Sequence, residues 1–218
     1  MHDPEHLKAR LAEAARYALL RRVAPAMRHD MAGALQPISM MAAMLEKRLQ
    51  KPEPDMAALA RNGGAINTLA REASAACMSL MTWLAPKEDS RVPFKACVTE
   101  SLALVATELS FRGFNIVNDI PEIEAEVLLS SVRGSFMASL LALTDACSEP
   151  SNVTLTAKTT GNQITLVMAL SASGAEAFAT GATLPYRKLG WDDVQAIADA
   201  QQVGLEFGDG TATLSYQF

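Results

Sequence analysis

No stretch of the 218 residues approaches the roughly 20 consecutive apolar positions that an α-helix needs to span a bilayer. The N-terminus carries no apolar core of a secretory signal, and we expect a soluble, cytoplasmic protein with no membrane partner. Positive charge is also short: 19 Lys and Arg stand against 24 Asp and Glu, a net charge of −5. A general nucleic-acid binder needs a basic face for the phosphates, so that class is excluded. Cysteine is scarce. Cys77, Cys97 and Cys147 lie far apart, without metal-ligand spacing, each within an apolar run. They read as small buried residues of a reduced, cytosolic protein.

What the chain does have is apolar residues, half of the total, with a fifth charged, which suits an ordered core and excludes wholesale disorder. The length fits one large domain or two small ones. The organising stretch is Met27-Arg28-His29-Asp30-Met31-Ala32-Gly33-Ala34-Leu35-Gln36-Pro37-Ile38. Within and beyond it, Met31, Leu35, Ile38, Ala42, Leu45 and Leu49 alternate four and three apart, the seam of a coiled coil or four-helix bundle. His29 falls two residues before a seam position and is expected to face solvent, with Asp30 beside it. A solvent-facing imidazole with an acidic neighbour suits the carrying of a phosphoryl group. Arg21, Arg22 and Arg28 read as a solvated face or, more sharply, as a rim that meets an acidic partner. Met31, Met40, Met41 and Met44 read as core, or as an adaptable docking surface if exposed.

Upstream, Asp3-Pro4-Glu5 marks a helix start, and Leu7, Leu11, Ala14 and Ala18 continue with the same spacing. Pro25 and Pro37 predict bends. The helix is expected to end near Gln50, before Lys51-Pro52-Glu53-Pro54-Asp55. A second helix follows, with Leu59, Asn62, Ile66, Leu69, Ala73, Ala76, Leu80 and Trp83 alternating three and four apart, and Pro86 ending it. Two such helices make an antiparallel hairpin with a seam but no closed core, so we expect a homodimer forming a four-helix bundle.

Past residue 87 the pattern changes. A helix is expected over about 95–109, a strand at 114–118, an acidic loop at 120–126 and a helix over 128–147. Strands at 153–157 and 164–168 flank a Gly161-Asn162 turn, and a small-residue loop spans 171–183. A helix near 191–201 and a hairpin around Gly208-Asp209-Gly210 close the chain. This is an α+β sandwich, a mixed sheet with helices on one face. The expected division is 1–86, a helical hairpin for dimerisation and phosphotransfer, and 87–218, an α/β domain.

This order of elements, and the motif His29-Asp30-Met31-Ala32-Gly33-Ala34-Leu35-Gln36-Pro37-Ile38, resemble a histidine kinase's dimerisation and ATP-binding domains. The kinase acceptor motif is H-E-x-x-N-P-L-T-P-I. Leu189-Gly190-Trp191 through Tyr216-Gln217-Phe218 looks like the last box, helix and hairpin of the ATP-binding fold. The departures are informative. Where the family has N-L-x-D-N-A, whose asparagine holds the nucleotide's magnesium, this chain has Leu141-Ala142-Leu143-Thr144-Asp145-Ala146. Where the family has D-x-G-x-G, it has Ala169-Leu170-Ser171-Ala172-Ser173-Gly174, without the carboxylate that binds adenine. The glycine-rich lid shrinks to Gly190. Gly33 stands where kinases carry the Asn or Thr used in phosphatase action.

An acceptor histidine combined with a degenerate ATP domain resembles the ChpT-type histidine phosphotransferases. The resemblance implies a phosphorelay between response-regulator receiver domains, with no cofactor on this chain and magnesium supplied by the receiver. His29 would be the acceptor and Asp30 its orienting group or base, with Arg21, Arg22, Arg28, Gly33 and Gln36 at the partner surface. Two alternatives stay open, an autokinase with a changed nucleotide pocket and a non-catalytic dimeric scaffold.

Overall fold

The computed structural model describes residues 4–84, 90–173 and 187–218. Its compact units divide the chain as Met1–Val23 with Lys87–Phe218, and Ala24–Pro86.

The second of these holds the helical hairpin. Helix α1 (Pro4–Leu49) runs unbroken through Pro25 and Pro37, so neither proline ends it. Its part beyond Val23 contributes one arm, and α2 (Met56–Leu84) the other. Asp55 starts α2 as its cap: its Oδ1 accepts from the Ala58 backbone N–H at 3.0 Å, satisfying a donor that the first turn leaves unpaired. That hydrogen bond also lowers the Asp55 carboxyl pKa below its usual value. Leu59, Asn62, Ala73 and Trp83 of the expected seam are buried on α2, and Arg48 donates to the Asn62 side-chain oxygen at 3.4 Å across the connection. On α1 the seam is only partly covered. Ile38 and Leu45 are half-buried, whereas Met31, Leu35, Ala42 and Leu49 are exposed.

The other unit contains the sheet. Strands β2 (Phe114–Asn118), β4 (Ser151–Thr160), β5 (Gln163–Ala172), β6 (Gly204–Gly208) and β7 (Thr211–Gln217) are ordered β2-β4-β5-β7-β6. Only the β2–β4 pair is parallel. A separate antiparallel ladder joins β1 (Arg91–Pro93) to β3 (Glu126–Leu128). The period-2 pattern puts Val153, Leu155, Ile164, Leu166, Met168, Ala212, Leu214 and Tyr216 in the core. Their neighbours Thr154, Thr165, Thr213 and Ser215 stay half-exposed, so one sheet face is wet. Helices α3 (Phe94–Phe111), α4 (Leu129–Ala146) and α5 (Trp191–Ala200) supply the cover, with α3 against β2, α4 against β7 and α5 against β6. Helix α4 is central, and nearly all its side chains are buried. On it, Ser135 Oγ lies 3.0 Å from the Tyr216 hydroxyl and 2.6 Å from the Ser131 carbonyl. Burial pushes the Tyr216 phenol pKa well up. The β6–β7 hairpin turns through Asp209 (φ 46°) and Gly210 (φ 73°), the two positive angles that a primed turn requires.

Three expectations are corrected. The boundary does not fall at residue 86 alone, because Ala12, Ala15, Leu19 and Val23 of α1 are buried as part of the α/β unit. The stripe read at Leu7, Leu11, Ala14 and Ala18 is not the buried one; Leu7 and Leu11 are exposed. The end of the acidic loop is strand β3, held by its ladder to Arg91–Pro93. The loop expected at 171–183 lies mostly outside the described residues, as does Pro86. Among the described residues no helix is long and apolar enough to cross a membrane.

Candidate functional site

His29 sits on the hairpin part of α1, and 87% of its side chain is exposed. An α-helix turns about 100° per residue, so His29, Gln36 and Met40, seven and eleven residues apart, share one face. That face lies away from the half-buried side chains Ile38, Met41 and Leu45. Asp30 is half-exposed, and its Oδ1 lies 3.4 Å from His29 Nδ1. With the proton on Nδ1 and donated to Asp30, the lone pair of Nε2 points to solvent. The arrangement is a nucleophile with one nitrogen oriented and the other free.

The surroundings are open. Gly33, one turn after His29, has nothing within 4 Å of where a Cβ would stand, so packing does not explain the glycine. Gln36 is exposed. Met40 is 65% exposed and Met44 also projects outward, giving an apolar strip along the side of the helix that carries His29. Arg28 is exposed beside His29, and Arg21 is exposed as well.

Arg22 is elsewhere, and its expected place on a partner rim is corrected. Its side chain is 1% exposed, with Nη2 at 2.7 Å from Glu108 Oε1 and 3.0 Å from Asp145 Oδ1. A guanidinium with two carboxylate partners can be buried, whereas a bare one cannot. Arg112 reaches the same two acids, at 2.9 Å from Asp145 Oδ1 and 3.4 Å from Glu108 Oε1. Its guanidinium also lies over the Phe114 ring, 5.2 Å from the centroid. Sequence reasoning missed this cluster. The available signal was Arg22 falling among Ala12, Ala15, Leu19 and Val23 on one helical face.

The positions that the resemblance assigns to a nucleotide are now visible in part. Leu141 is fully buried and apolar. Asp145, at the second asparagine position of that box, is committed to Arg22 and Arg112. Ala169 lies in β5, paired with Thr154 and Thr211. Leu141 offers no oxygen to a metal ion, and Ala169 offers no carboxylate. Gly190 opens α5, where its N–H donates to Asp193 Oδ2 at 3.0 Å. Asp193 is held below the usual carboxyl range by the Arg187 guanidinium, which donates to both of its oxygens. Among the described residues no group of three or more His, Cys, Asp or Glu is placed to hold a metal ion.

No protein-family model matches the sequence. No curated protein matches it either. Among solved structures, the chain is similar to the histidine kinase AdeS of Acinetobacter baumannii, at 15% identity and a TM-score of 0.44, covering 84% of this chain and 96% of that one. It is also similar to a bacterial phosphotransferase, at 11% identity and a TM-score of 0.40, covering 91% of this chain and 95% of that one. A third similar structure is the histidine kinase ThkA in complex with the response regulator TrrA, at 12% identity and a TM-score of 0.43, covering 98% of this chain and 65% of that one.

Proposed function

We propose that the chain is a histidine phosphotransfer protein that carries a phosphoryl group on His29 between response-regulator receiver domains, without using ATP. The observation that carries this reading is the exposed His29 ring, with Asp30 on its Nδ1 and Nε2 free. Nε2 attacks the phosphorus of a receiver's aspartyl phosphate in line. The N–P bond forms as the P–O bond breaks, and the receiver's carboxylate leaves with the electron pair. Asp30 accepts the proton that the phosphorylated ring sheds from Nδ1. The return step runs the same sequence backwards onto another receiver. Little else is asked of this chain, since the receiver brings magnesium and the acidic pocket.

The remaining features fit the same reading. Met40, Met44, Gly33 and Gln36 give a receiver an open, partly apolar surface next to the acceptor, with Arg21 and Arg28 as the basic groups for an acidic partner. The exposed seam residues Met31, Leu35, Ala42 and Leu49 fit a second copy, which would complete a four-helix bundle. Leu141 and the committed Asp145 fit the loss of nucleotide binding. Free Cys77, Cys97 and Cys147 suit a reducing, cytoplasmic setting.

The test is incubation with a phosphorylated cognate receiver domain, followed by assay for acid-labile phosphate on this chain. Phosphate on His29 is the expected result. Its absence, with receiver binding intact, would favour the scaffold. Uptake from magnesium and ATP alone would favour the autokinase.

A further inference from the structure

An arginine on the inward face of a helix is costly unless carboxylates meet it, and Arg22 meets two of them through one nitrogen. Helix α1 lays Ala12, Ala15, Leu19 and Val23 into the α/β unit, all nearly inaccessible. Ala12 and Ala15 bury little apolar area, and Leu19 and Val23 supply most of the segment's packing. Arg22 adds something of a different kind. Its Nη2 lies between Glu108 of α3 and Asp145 of α4, at 2.7 and 3.0 Å. Arg112, the residue after α3, closes the arrangement, donating through Nη2 to the Thr144 carbonyl at 2.9 Å. Lys188 Nζ donates to the Asp145 carbonyl at 3.2 Å. Two guanidinium groups and two carboxylates thus meet, and one member of the set comes from the far end of the sequence.

We propose that Arg22 is a built-in counter-cation that clasps the Pro4–Val23 segment to α3 and α4. It supplies from within the chain a positive charge that the Glu108–Asp145 pair needs. Arg112 reaches both acids, but alone it sets one positive charge against two negative ones, with Asp145 buried and Glu108 half-buried. The proposal stands whether or not His29 carries phosphate, because every contact lies within the α/β unit.

Backbone hydrogen exchange on the full-length protein tests it. Arg22→Met keeps the length of the side chain and removes its charge. We expect amides over 12–23 to exchange at least tenfold faster, while those of β4 and β5 keep native rates. Unchanged exchange over 12–23 overturns the clasp. Arg22→Met combined with Asp145→Asn should fall short of the product of the two single effects, because each substitution removes the contact that the two residues share. Effects that multiply independently contradict the proposal. Should Arg22→Met fail to fold, Arg22→Lys separates charge from packing, since both acids meet a single nitrogen of Arg22. A folded lysine variant with exchange within tenfold of native supports the counter-cation, and one that fails like methionine overturns it.

Discussion

Arg22 and Asp145 lie 123 residues apart in sequence, and their side chains meet at 3.0 Å with about 1% of each exposed. The pair joins the first helix of the chain to the helix at the centre of the α/β unit. Neutralising Asp145 leaves Arg22 and Arg112 sharing Glu108, and the loss of charge-assisted contacts costs about 2 kcal/mol. Asp145→Asn should therefore lower the unfolding free energy by about that amount in urea, with an unchanged m-value. A loss below about 0.5 kcal/mol, the usual size for an indifferent surface position, contradicts this.

The same commitment of Asp145 bears on nucleotide. With Leu141 buried, Asp145 ion-paired and no carboxylate at Ala169, magnesium and ATP should bind with a dissociation constant weaker than about 1 mM, less than ~4 kcal/mol of binding. Titration calorimetry checks this. Micromolar affinity would restore the autokinase reading.

Cys97 gives a pH dependence. Burial raises its thiol pKa from the usual 9.0 to about 12. The folded state therefore holds this proton more tightly than the unfolded chain. That contribution to stability is complete below about pH 9 and is lost as pH rises from there towards 12. Alkylation at pH 8 should spare Cys97 in the native protein and modify it after unfolding, while half-buried Cys77 and Cys147 react first. Mass spectrometry of the peptides reads the order, and early modification of Cys97 contradicts its burial.

The exposed seam gives a prediction about assembly. Leu35 is 47% exposed in the single chain, so Leu35→Asp should leave helix content nearly native while driving a dimer to monomer in sedimentation. A native protein that sediments as a monomer at micromolar concentration contradicts the bundle.

Much of this fold was legible from local pattern. Strand β2 matches the apolar run Phe114–Asn118 residue for residue, and the β4–β5 and β6–β7 hairpins announce themselves through Gly161-Asn162 and Gly208-Asp209-Gly210. His29 and Asp30 were legible too, since seam spacing alone turns His29 outward. What escaped was decided by distant partners. Three-residue strands such as β1 and β3 have no periodicity of their own and exist through their ladder. The alanine-rich face of α1 was hidden by the bulkier but exposed Leu7 and Leu11. Arg22 read as surface because its carboxylates, Glu108 and Asp145, lie far along the chain.

The most direct test of the central reading is phosphoryl uptake by His29→Ala from a phosphorylated receiver domain. The variant should take up no phosphate, and its stability should change by no more than about 0.5 kcal/mol, because the side chain is exposed. Asp30→Ala should slow transfer on the order of 10²-fold without abolishing it, as befits an orienting group. Replacement of His6, exposed on the same helix, should be silent. Phosphate uptake undiminished in His29→Ala, or loss of its fold, would contradict the account.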